Sequence, residues 1–364
     1  MYKIKFILEI FLIVIANMDN RIITHLNFAK GFRVGERQTL LLIKELSHRG
    51  FKQKVITRKK SELAVRLSKI NNLEIIKISK PYVLSLNKIK DSSILHAHET
   101  KAAQFCYFAN ALFGIPYIIT RRVDNPIKNN FFNKRIYENS TYTAVLSKAI
   151  EKETLKISKN INTKIIPSAY SKLEVNQNNV ELLKKRFQNK FLLGNIGELD
   201  NSHKGQFYLI EAMKKLASTY PNIHLILLGK GKDEINYKNQ AKDLNNITFE
   251  GFVDNVGDYI QALDLFVFPS VNEGLGSILF DIMQSNVPII ASDVGGIPDI
   301  VHHNTNGFLV EPKNSDKIYD AIEKLYLDED LRKRLLKEAF KNIDNFGFEK
   351  MADRYEKIYM EIKK

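Results

Sequence analysis

Short apolar segments of strand length alternate with helical patterns along most of the chain, in two series separated by one polar stretch. Strands that alternate with helices form parallel sheets, because each helical crossover returns the chain to the same edge. The polar stretch, residues 171–179, rises into a charged helix ending near Lys190 and predicts a linker between two α/β domains. The candidate strands are Ile22–Phe28, Lys54–Thr57, Glu74–Ile78, Ser92–His96, Tyr117–Thr120, Thr143–Leu146 and Lys164–Ile166, followed by Phe191–Ile196, Ile223–Leu228, Ile247–Phe249, Leu263–Phe268 and Val287–Ala291.

The chain length agrees with two domains, since 364 residues exceed the size at which one hydrophobic core stops growing. We predict a first domain over residues 18–172, a linker and helix over 173–190, a second domain over 191–345, and a last amphipathic helix within 346–364. The single cysteine, Cys106, excludes an intramolecular disulfide and is consistent with a reducing compartment. We expect its thiol to pack in a helix rather than to react.

Residues 1–17 stand apart from this pattern. Phe6 to Ala16 is apolar except for Glu9, too short to span a bilayer, and lacks a small-residue cleavage site after it. Either translation starts at Met18, directly before the first core strand, or the segment is an interfacial anchor. Mass spectrometry of the native N-terminus separates the two.

The positive charge of the chain is concentrated in its first half. Residues 1–180 hold 31 Lys and Arg against 13 Asp and Glu, a balance of +18, whereas the remainder balances at −4 to give the total of +14. Such a surface attracts anionic lipid headgroups, and it would also attract nucleic acid. The basic residues are dispersed through the α/β pattern without a nucleic-acid-binding motif, so we expect no nucleic-acid partner. An anionic membrane surface and an ordinary lysine-rich solvated surface both remain open.

A glycine loop after the strand Leu263–Phe268 has the composition of a ligand site. Glu273 lies on this loop. Gly274, Leu275 and Gly276 follow it and lead into a helix, and Asp281 lies on that helix. Glycines let the backbone approach a ligand, and the first N–H groups of a helix favour an anion. Carboxylates beside that anion accept hydrogen bonds from hydroxyl groups attached to it. Phosphate flanked by hydroxyls describes a nucleotide sugar, although a glycine-rich turn with solvated acids would also give this pattern.

These residues closely resemble the donor site of the retaining glycosyltransferases of family four (group 1), which have the GT-B fold. The family motif is a Glu, seven residues, then a second Glu; Glu273 matches the first position, and Asp281 is one methylene shorter at the second. Gly-Leu-Gly after Glu273 and Gly-Gly-Ile-Pro at 295–298 match as well. The resemblance implies two Rossmann-like, doubly wound parallel-sheet domains facing each other across a cleft, with the C-terminal helix of 346–364 crossing back onto the first domain. It also implies that Glu273 contacts the transferred sugar and Asp281 the ribose.

The family places a lysine on the donor diphosphate after the first strand of its second domain. Lys204 and Gly205 match that position. The family usually has Arg where this chain has Glu198, and an acid cannot neutralise phosphate. Lys230 or Lys232 could replace the missing cation, or both could be solvated loop residues.

The N-terminal loop after Ile22–Phe28 resembles the family's glycine loop. Gly35 would let the backbone approach the donor phosphate or the acceptor, and Arg33 adds positive charge. Val34 occupies a position where the family pattern has a second glycine, so a helix N-terminus alone could also explain the loop.

His98, in His96-Ala-His98, is our candidate for a hydrogen bond to a substrate hydroxyl at the edge of the first sheet. The family often has a histidine there, whereas a satisfied loop histidine is the alternative. We do not interpret the pair as metal ligands, because no partner cluster is evident in the sequence. Arg121 and Arg122 end the strand Tyr117–Thr120, where an anionic acceptor could bind.

The resemblance therefore implies transfer of a sugar from a nucleotide-sugar donor to a glycan or glycolipid acceptor with retained configuration, without a metal or other cofactor. Glu273, His98 and Lys204 are the predicted catalytic residues. A setting in bacterial surface polysaccharide or lipopolysaccharide biosynthesis would place the protein in the cytoplasm, peripheral to the inner face of the membrane if its basic half binds lipid. Two other classes stay open: a nucleotide-sugar epimerase or hydrolase on the same fold, and a non-enzymatic module that binds anionic polymers.

Overall fold

A computed structural model describes residues 21–362 of the chain, and the predicted upstream segment 1–17 and Met18 lie outside that range. The described chain forms two compact units. The first unit contains residues 21–168 and 348–362, and the second contains residues 169–347. Both are α/β units built on parallel sheets, as predicted.

The first unit is built on a seven-stranded sheet with the order β3-β2-β1-β4-β5-β6-β7, in which all neighbours are parallel. This is a doubly wound order, which reverses between β1 and β4. The strands are β1 Ile23–Asn27, β2 Gln53–Arg58, β3 Glu74–Ile78, β4 Ile94–Ala97, β5 Tyr117–Arg121, β6 Tyr142–Val145 and β7 Thr163–Ile165. The helices of this part are α1 Val34–His48, α2 Glu62–Leu67, α3 Thr100–Phe113, α4 Phe131–Glu138 and α5 Lys148–Leu155, with a 3-10 helix over Tyr82–Ile89.

The central strands of the first unit are buried even at their polar residues, among them Thr24, His25 and Asn27. All residues of β1, β4 and β5 are buried, as expected for a sheet covered by helices on both faces. Helix α1 begins after Arg33, where the Glu36 side chain accepts a hydrogen bond from the Arg33 backbone N–H at 2.9 Å. Cys106 lies in α3 at 0% exposure, and burial raises the pKa of its thiol well above the ordinary value. The prediction of a packing cysteine is confirmed.

The second unit repeats this architecture with a six-stranded parallel sheet of order β10-β9-β8-β11-β12-β13. Its strands are β8 Phe191–Ile196, β9 Ile223–Leu228, β10 Ile247–Gly251, β11 Leu265–Phe268, β12 Ile289–Ser292 and β13 Phe308–Val310. Its helices are α6 Gln177–Arg186, α7 Gln206–Thr219, α8 Glu234–Gln240, α9 Val256–Ala262, α10 Ile278–Gln284, α11 Ser315–Leu327 and α12 Glu329–Ile343, with short 3-10 helices over Ile297–Asp299 and Asp344–Phe346.

The charged helix expected in the linker is α6, and it packs against α9 inside the second unit. The Asp258 carboxylate accepts hydrogen bonds from the Asn176 backbone N–H at 2.6 Å and from the Asn179 side chain at 2.8 Å. A Cβ at Gly257 would lie 2.3 Å from the Glu174 carbonyl oxygen, so the segment before α6 passes directly over α9. These contacts make residues 174–186 part of the second unit.

The last helix, α13 Phe348–Glu361, belongs to the first unit although it is the last element of the chain. It packs against α1, where Arg49 pairs with Asp353 at 2.8 Å and with Glu356 at 2.7 Å. Its two buried tyrosines reach the sheet: Tyr359 Oη lies 2.7 Å from His96 Nδ1, and Tyr355 Oη lies 2.9 Å from Thr120 Oγ1. The helix therefore closes one face of the first sheet.

Within residues 21–362, every helix is too short or too polar to cross a bilayer.

Candidate active site

Glu273 lies on the loop between β11 and α10, and the turn after β12 fixes its backbone. The Gly296 backbone N–H donates to the Glu273 carbonyl oxygen at 3.0 Å. Gly295 has a φ of +59°, and a Cβ at that position would lie 1.8 Å from the same oxygen. Only glycine satisfies both demands, so the two strand-end turns predicted in sequence meet at Glu273.

The residues between Glu273 and α10 form a tight turn whose side chains face inward. Gly276 has a φ of +82°, and a Cβ there would lie 3.1 Å from Leu279 and 3.2 Å from Phe268. Leu275 is buried at 3% exposure. Gly274, Leu275 and Gly276 can therefore contribute only backbone groups to a ligand.

Lys204 lies on the loop between β8 and α7, which is attached to the Glu273 loop by backbone contacts. The backbone N–H groups of Val271 and Asn272 donate to the His203 carbonyl oxygen at 2.8 and 3.2 Å. Gly205, with a φ of +64°, approaches so closely that a Cβ would lie 2.1 Å from the Pro269 carbonyl oxygen. Main-chain contacts therefore hold the Lys204 loop against the Glu273 loop, although the two residues are 69 positions apart in the sequence.

Two of the three predicted catalytic residues are in contact: Lys204 Nζ lies 2.5 Å from Glu273 Oε2. Their side chains are 26% and 16% exposed, so the pair is reachable from solvent. Lys204 Nζ also lies 5.4 Å from the centroid of the Phe268 ring, where β11 ends. The arrangement places one cation and one carboxylate together at the carboxyl ends of β8 and β11, the edge at which parallel sheets bind ligands.

The loops that carry Glu198, Lys230 and Lys232 lie beside Lys204. A Cβ at Gly229 would lie 1.9 Å from the Gly197 carbonyl oxygen, so the turns after β8 and β9 are in direct contact. Glu198 is exposed. Lys232 is 65% exposed and pairs with Asp200 at 3.2 Å, and Lys230 is exposed as well.

Asp281 lies on α10 at 6% exposure, and its Oδ1 accepts a hydrogen bond of 2.5 Å from the Ser171 backbone N–H. Ser171 stands near the start of the second unit, 110 residues earlier in the chain. The carboxylate therefore fixes the segment that leads into this unit, a contact that sequence patterns do not reveal.

A second group of predicted residues gathers at the carboxyl edge of the first sheet. Gly35 lies in the first turn of α1, and a Cβ there would lie 3.4 Å from Arg122 Cδ. Arg121 is 8% exposed and donates to the Asn125 carbonyl oxygen and, at 3.4 Å, to Tyr137 Oη. Arg33 is exposed and precedes α1. Of the arginine pair, Arg122 is the one that lies beside the predicted glycine loop.

His98 lies beyond β4 in a cluster of three buried imidazoles. His25 is paired with His96 across β1 and β4, and the ring nitrogens that His25, His96 and His98 offer lie within 4.8 Å of one another. The expectation that the histidine pair has no partner cluster is therefore wrong. His25 was missed because its strand neighbours are set by sheet order, and its one sequence signal is a histidine inside the apolar run Ile22–Phe28.

Hydrogen bonds occupy nearly all ring nitrogens of this histidine cluster. His96 contacts Tyr359 and Thr120, both at 2.7 Å. Burial lowers the pKa of His25 to about 4, and burial followed by neighbouring positive charge lowers the pKa of His96 and His98 well below the ordinary value. All three rings are neutral at neutral pH.

The part of the chain that contains Lys204 and Glu273 matches a known protein family. The family model for "Glycosyl transferases group 1" matches residues 181–342, a segment that contains both Lys204 and Glu273. An uncharacterized glycosyltransferase of Haemophilus influenzae is 29% identical over 177 residues, which cover 48% of this chain and 50% of the relative.

Two further relatives have more specific names. The N-acetyl-alpha-D-glucosaminyl L-malate synthase of Bacillus anthracis is 28% identical over 291 residues, covering 74% of each chain. The lipopolysaccharide core biosynthesis glycosyltransferase LpsE of Rhizobium meliloti is 29% identical over 42% of this chain and 45% of the relative. The chain thus spans about half the length of several curated relatives that it matches.

Among solved structures, the crystal structure of Anabaena Alr3699/HepE in complex with UDP and glucose superposes with a TM-score of 0.80. It covers 94% of this chain and 100% of HepE at 18% identity, a likeness that shows the shared fold. The family model for group 1 glycosyltransferases thus matches residues 181–342, which lie within the second unit, and the likeness to HepE shows a shared fold over 94% of the chain.

Proposed function

We propose that this protein transfers a sugar residue from a nucleotide-sugar donor to a hydroxyl acceptor, with retention of the anomeric configuration. The observation that carries the proposal is the 2.5 Å pair of Lys204 and Glu273 on loops fixed by Gly205 and Gly295. A lysine binds phosphate as a point charge, and a carboxylate accepts hydrogen bonds from sugar hydroxyls. HepE, whose crystal structure contains UDP and glucose, supports this assignment through its similar fold.

In the proposed reaction, Lys204 stabilises the negative charge that develops on the leaving diphosphate. The bond between the anomeric carbon and the phosphate oxygen breaks with its electron pair on the phosphate, and the acceptor oxygen forms the new bond on the same face. The acceptor proton passes to the leaving phosphate oxygen. Glu273 orients the sugar through its hydroxyls, and electrostatic stabilisation by preplaced groups supplies much of the rate.

The ion pair between Lys204 and Glu273 is compatible with these two roles, because breaking it changes the stability of the protein only slightly. Partly exposed ion pairs contribute about 0–1 kcal/mol to stability. A diphosphate offers Lys204 a stronger, charge-assisted partner, and a sugar hydroxyl satisfies the oxygen that Glu273 then exposes. Before the donor binds, each side chain keeps the other in place and neutralised.

Release of nucleoside diphosphate from a panel of nucleotide sugars, with and without hydroxyl acceptors, tests the proposal. A transferase should release diphosphate much faster when an acceptor is present and should form a glycosylated product. Release that ignores the acceptor would indicate a hydrolase or epimerase, and binding of anionic polymer without release would indicate a binding module.

Replacing Lys204 with Ala should weaken nucleoside diphosphate binding by about 1.5–3 kcal/mol, the usual value for a hydrogen bond to a charged group. Isothermal titration calorimetry measures the affinity. Lys232→Ala is the matched control, because Lys232 lies on the adjoining loop and already pairs with Asp200. Unchanged affinity in Lys204→Ala, with a loss in Lys230→Ala or Lys232→Ala, would show that a different cation holds the phosphates.

Turnover should not change when EDTA is added, because in this proposal Lys204 supplies the positive charge for the leaving group. The same acceptor-dependent release assay measures it, with magnesium and manganese added back in parallel. An EDTA-sensitive rate that either ion restores would contradict the metal-independent mechanism.

We further propose that the acceptor is a glycan or glycolipid of a bacterial surface polysaccharide, assembled at the cytoplasmic face of the membrane. LpsE, a relative named for lipopolysaccharide core biosynthesis, supports this setting. So does the charge of +18 carried by residues 1–180, which suits a surface of anionic lipid.

One face of the first unit combines this charge with exposed apolar side chains. On α3, Leu112 is 65% exposed, and on α4, Phe131 is 75% exposed. Rings of the two helices meet, with Phe108 and Phe132 centroids 5.8 Å apart. Basic groups stand over two other rings of these helices, Arg135 over Phe131 at 5.1 Å and Lys90 over Phe113 at 5.4 Å. Aromatic rings beside cationic side chains match the interface of an anionic bilayer.

The protein should bind anionic liposomes through this α3–α4 face, and binding should fall steeply with salt. The Debye length shrinks from about 10 Å at 0.1 M to about 3 Å at 1 M, so attraction to exposed charge is screened. Vesicle sedimentation with a chain that begins at Met18 measures this without the upstream apolar segment.

The double variant Leu112→Ser/Phe131→Ser should bind these vesicles weakly, whereas Phe252→Ser should bind normally. Phe252 is the matched control because it is 70% exposed in the second unit. Equal binding to neutral and anionic vesicles, or no binding at low salt, would mean that the charge is only a solvated surface.

A further inference from the structure

A directed chain of hydrogen bonds runs through the buried core of the first unit from Gln53 to His98. Gln53 Oε1 lies 3.0 Å from His25 Nε2, and His25 Nδ1 lies 3.0 Å from His98 Nε2. Gln53, His25 and His98 are 6%, 0% and 4% exposed. Because these side chains are shielded from water, their polar atoms must find hydrogen-bond partners among neighbouring residues.

The direction of the chain is set at Gln53. Its amide nitrogen donates to the Ile43 carbonyl oxygen at 3.1 Å and to Ser47 Oγ at 2.9 Å. These two contacts orient the side chain so that its oxygen faces His25. An amide oxygen only accepts, so His25 Nε2 must carry the proton.

The donor and acceptor of the hydrogen bond between His25 and His98 follow from this assignment. His25 is neutral, since burial lowers its pKa to about 4, and its Nδ1 therefore has a lone pair and no proton. The facing His98 Nε2 must donate to it. His98 is neutral as well, so its remaining nitrogen, Nδ1, bears only a lone pair. That atom is buried and has no hydrogen-bond partner among the described residues.

We infer that Gln53 and His25 are positioning residues that hold His98 in its Nε2–H tautomer, so that Nδ1 accepts a hydrogen bond from a substrate hydroxyl. The inference rests on the proposed function for the identity of the ligand, a polyhydroxyl sugar or glycan. A lone pair selects a group that donates, so the position favours a hydroxyl over an ether, ester or carboxylate oxygen. Arg122, whose charge acts on both His96 and His98, is the neighbouring cation at this edge.

A metal ion is the competing occupant of the histidine cluster, because zinc commonly binds three imidazoles. Coordination would require a free lone pair on each ring. His25 has its protonated nitrogen on Gln53 and its lone pair on His98, and both nitrogens of His96 contact hydroxyl groups. Binding would therefore break hydrogen bonds inside the core, and we treat it as an outcome that the experiment must separate.

The tautomer of His98 can be observed directly by imidazole ¹⁵N NMR, assigned by the signal lost in His98→Ala. The wild-type protein should show a protonated Nε2 and a bare Nδ1. His25→Leu removes the acceptor, so His98 should populate both tautomers, and kcat/KM should fall by about 3- to 10-fold, as for loss of one neutral hydrogen bond. His25→Gln can accept from His98 and donate to Gln53, so it should restore both the tautomer and most of the rate.

Three outcomes would overturn the inference. One is a protonated Nδ1 on wild-type His98, and another is a His25→Leu variant whose His98 tautomer and kcat/KM are unchanged. The third is saturable zinc binding to the wild-type protein that shifts the His98 signals and is lost in His25→Leu. The NMR measurement needs no substrate, so a wrong transferase assignment would leave the tautomer result standing. Gln53→Leu repeats the test at the other end of the chain if His25→Leu does not fold.

Discussion

The variant Glu273→Gln should lose transferase activity by about 10²-fold or more in kcat while keeping its fold. Glutamine has the same shape and still accepts a hydrogen bond from Lys204, so the change removes mainly the negative charge and one acceptor position. Losses of 10²- to 10³-fold are typical when one preplaced electrostatic contact to a reacting group is removed. Stability should change by less than about 1 kcal/mol, because the ion pair is partly exposed. Steady-state kinetics and thermal unfolding measure the two quantities.

Glu198→Gln is the matched control for this charge change. Glu198 lies on the loop that leads to Lys204, is exposed, and loses the same charge. It should keep near wild-type activity, or gain donor affinity because a negative charge near the phosphates is removed. Activity of Glu273→Gln within a few-fold of wild type would mean that the donor-site assignment is wrong.

The variant Gly295→Ala should lose activity to a similar extent through geometry alone. Its new Cβ would lie 1.8 Å from the Glu273 carbonyl oxygen, a distance that no packing tolerates, so the Glu273 loop must move. A misplacement of about 1 Å at a reacting site can cost about 10²-fold in rate. The φ of +59° adds about 1–2 kcal/mol of backbone strain for a residue with a Cβ.

Gly114→Ala is the control that separates the effect of backbone strain from the effect of moving the Glu273 loop. Gly114 has a φ of +69° at the end of α3, and a Cβ there meets nothing within 4 Å. Both variants should lose stability in urea unfolding, Gly295→Ala more because its Cβ also clashes with the Glu273 carbonyl oxygen, but only Gly295→Ala should lose activity. If the two variants have equal kcat/KM, the contact between the Gly295 turn and Glu273 does not position the carboxylate.

The strands of both sheets except β13 were predictable because short segments rich in apolar and β-branched residues alternate with helical patterns along the chain. β13 was missed: Phe308-Leu309-Val310 is only three residues long and follows Asn306-Gly307, which by itself indicates a turn. Its place in the sheet comes from pairing with β12, a long-range contact that local sequence does not contain.

Residues of the candidate site could be predicted where a local sequence motif identifies them. They could not be predicted where their neighbours depend on the order of strands in the sheet. Glu273 was identified from a glycine loop after a strand and Lys204 from the family resemblance, and their contact follows from β8 and β11 being neighbours. His25 gave almost no signal, because its importance depends on β1 lying beside β4. The Ser171 contact to Asp281 was invisible for the same reason, since 110 residues separate the two.

Helix α13 has a consequence for the order in which this protein matures. Most of the first unit is synthesised first, but one face of its sheet lacks part of its cover until α13 leaves the ribosome, after the entire second unit. Until then His96 and Thr120 lack the hydroxyls of Tyr359 and Tyr355, and Arg49 lacks Asp353 and Glu356. Buried polar groups without partners are unfavourable by about 1–3 kcal/mol each. The histidine cluster of the first unit is therefore completed only after the whole second unit has been synthesised, so a chain that stalls or is truncated before α13 has a finished second unit and an unfinished first one.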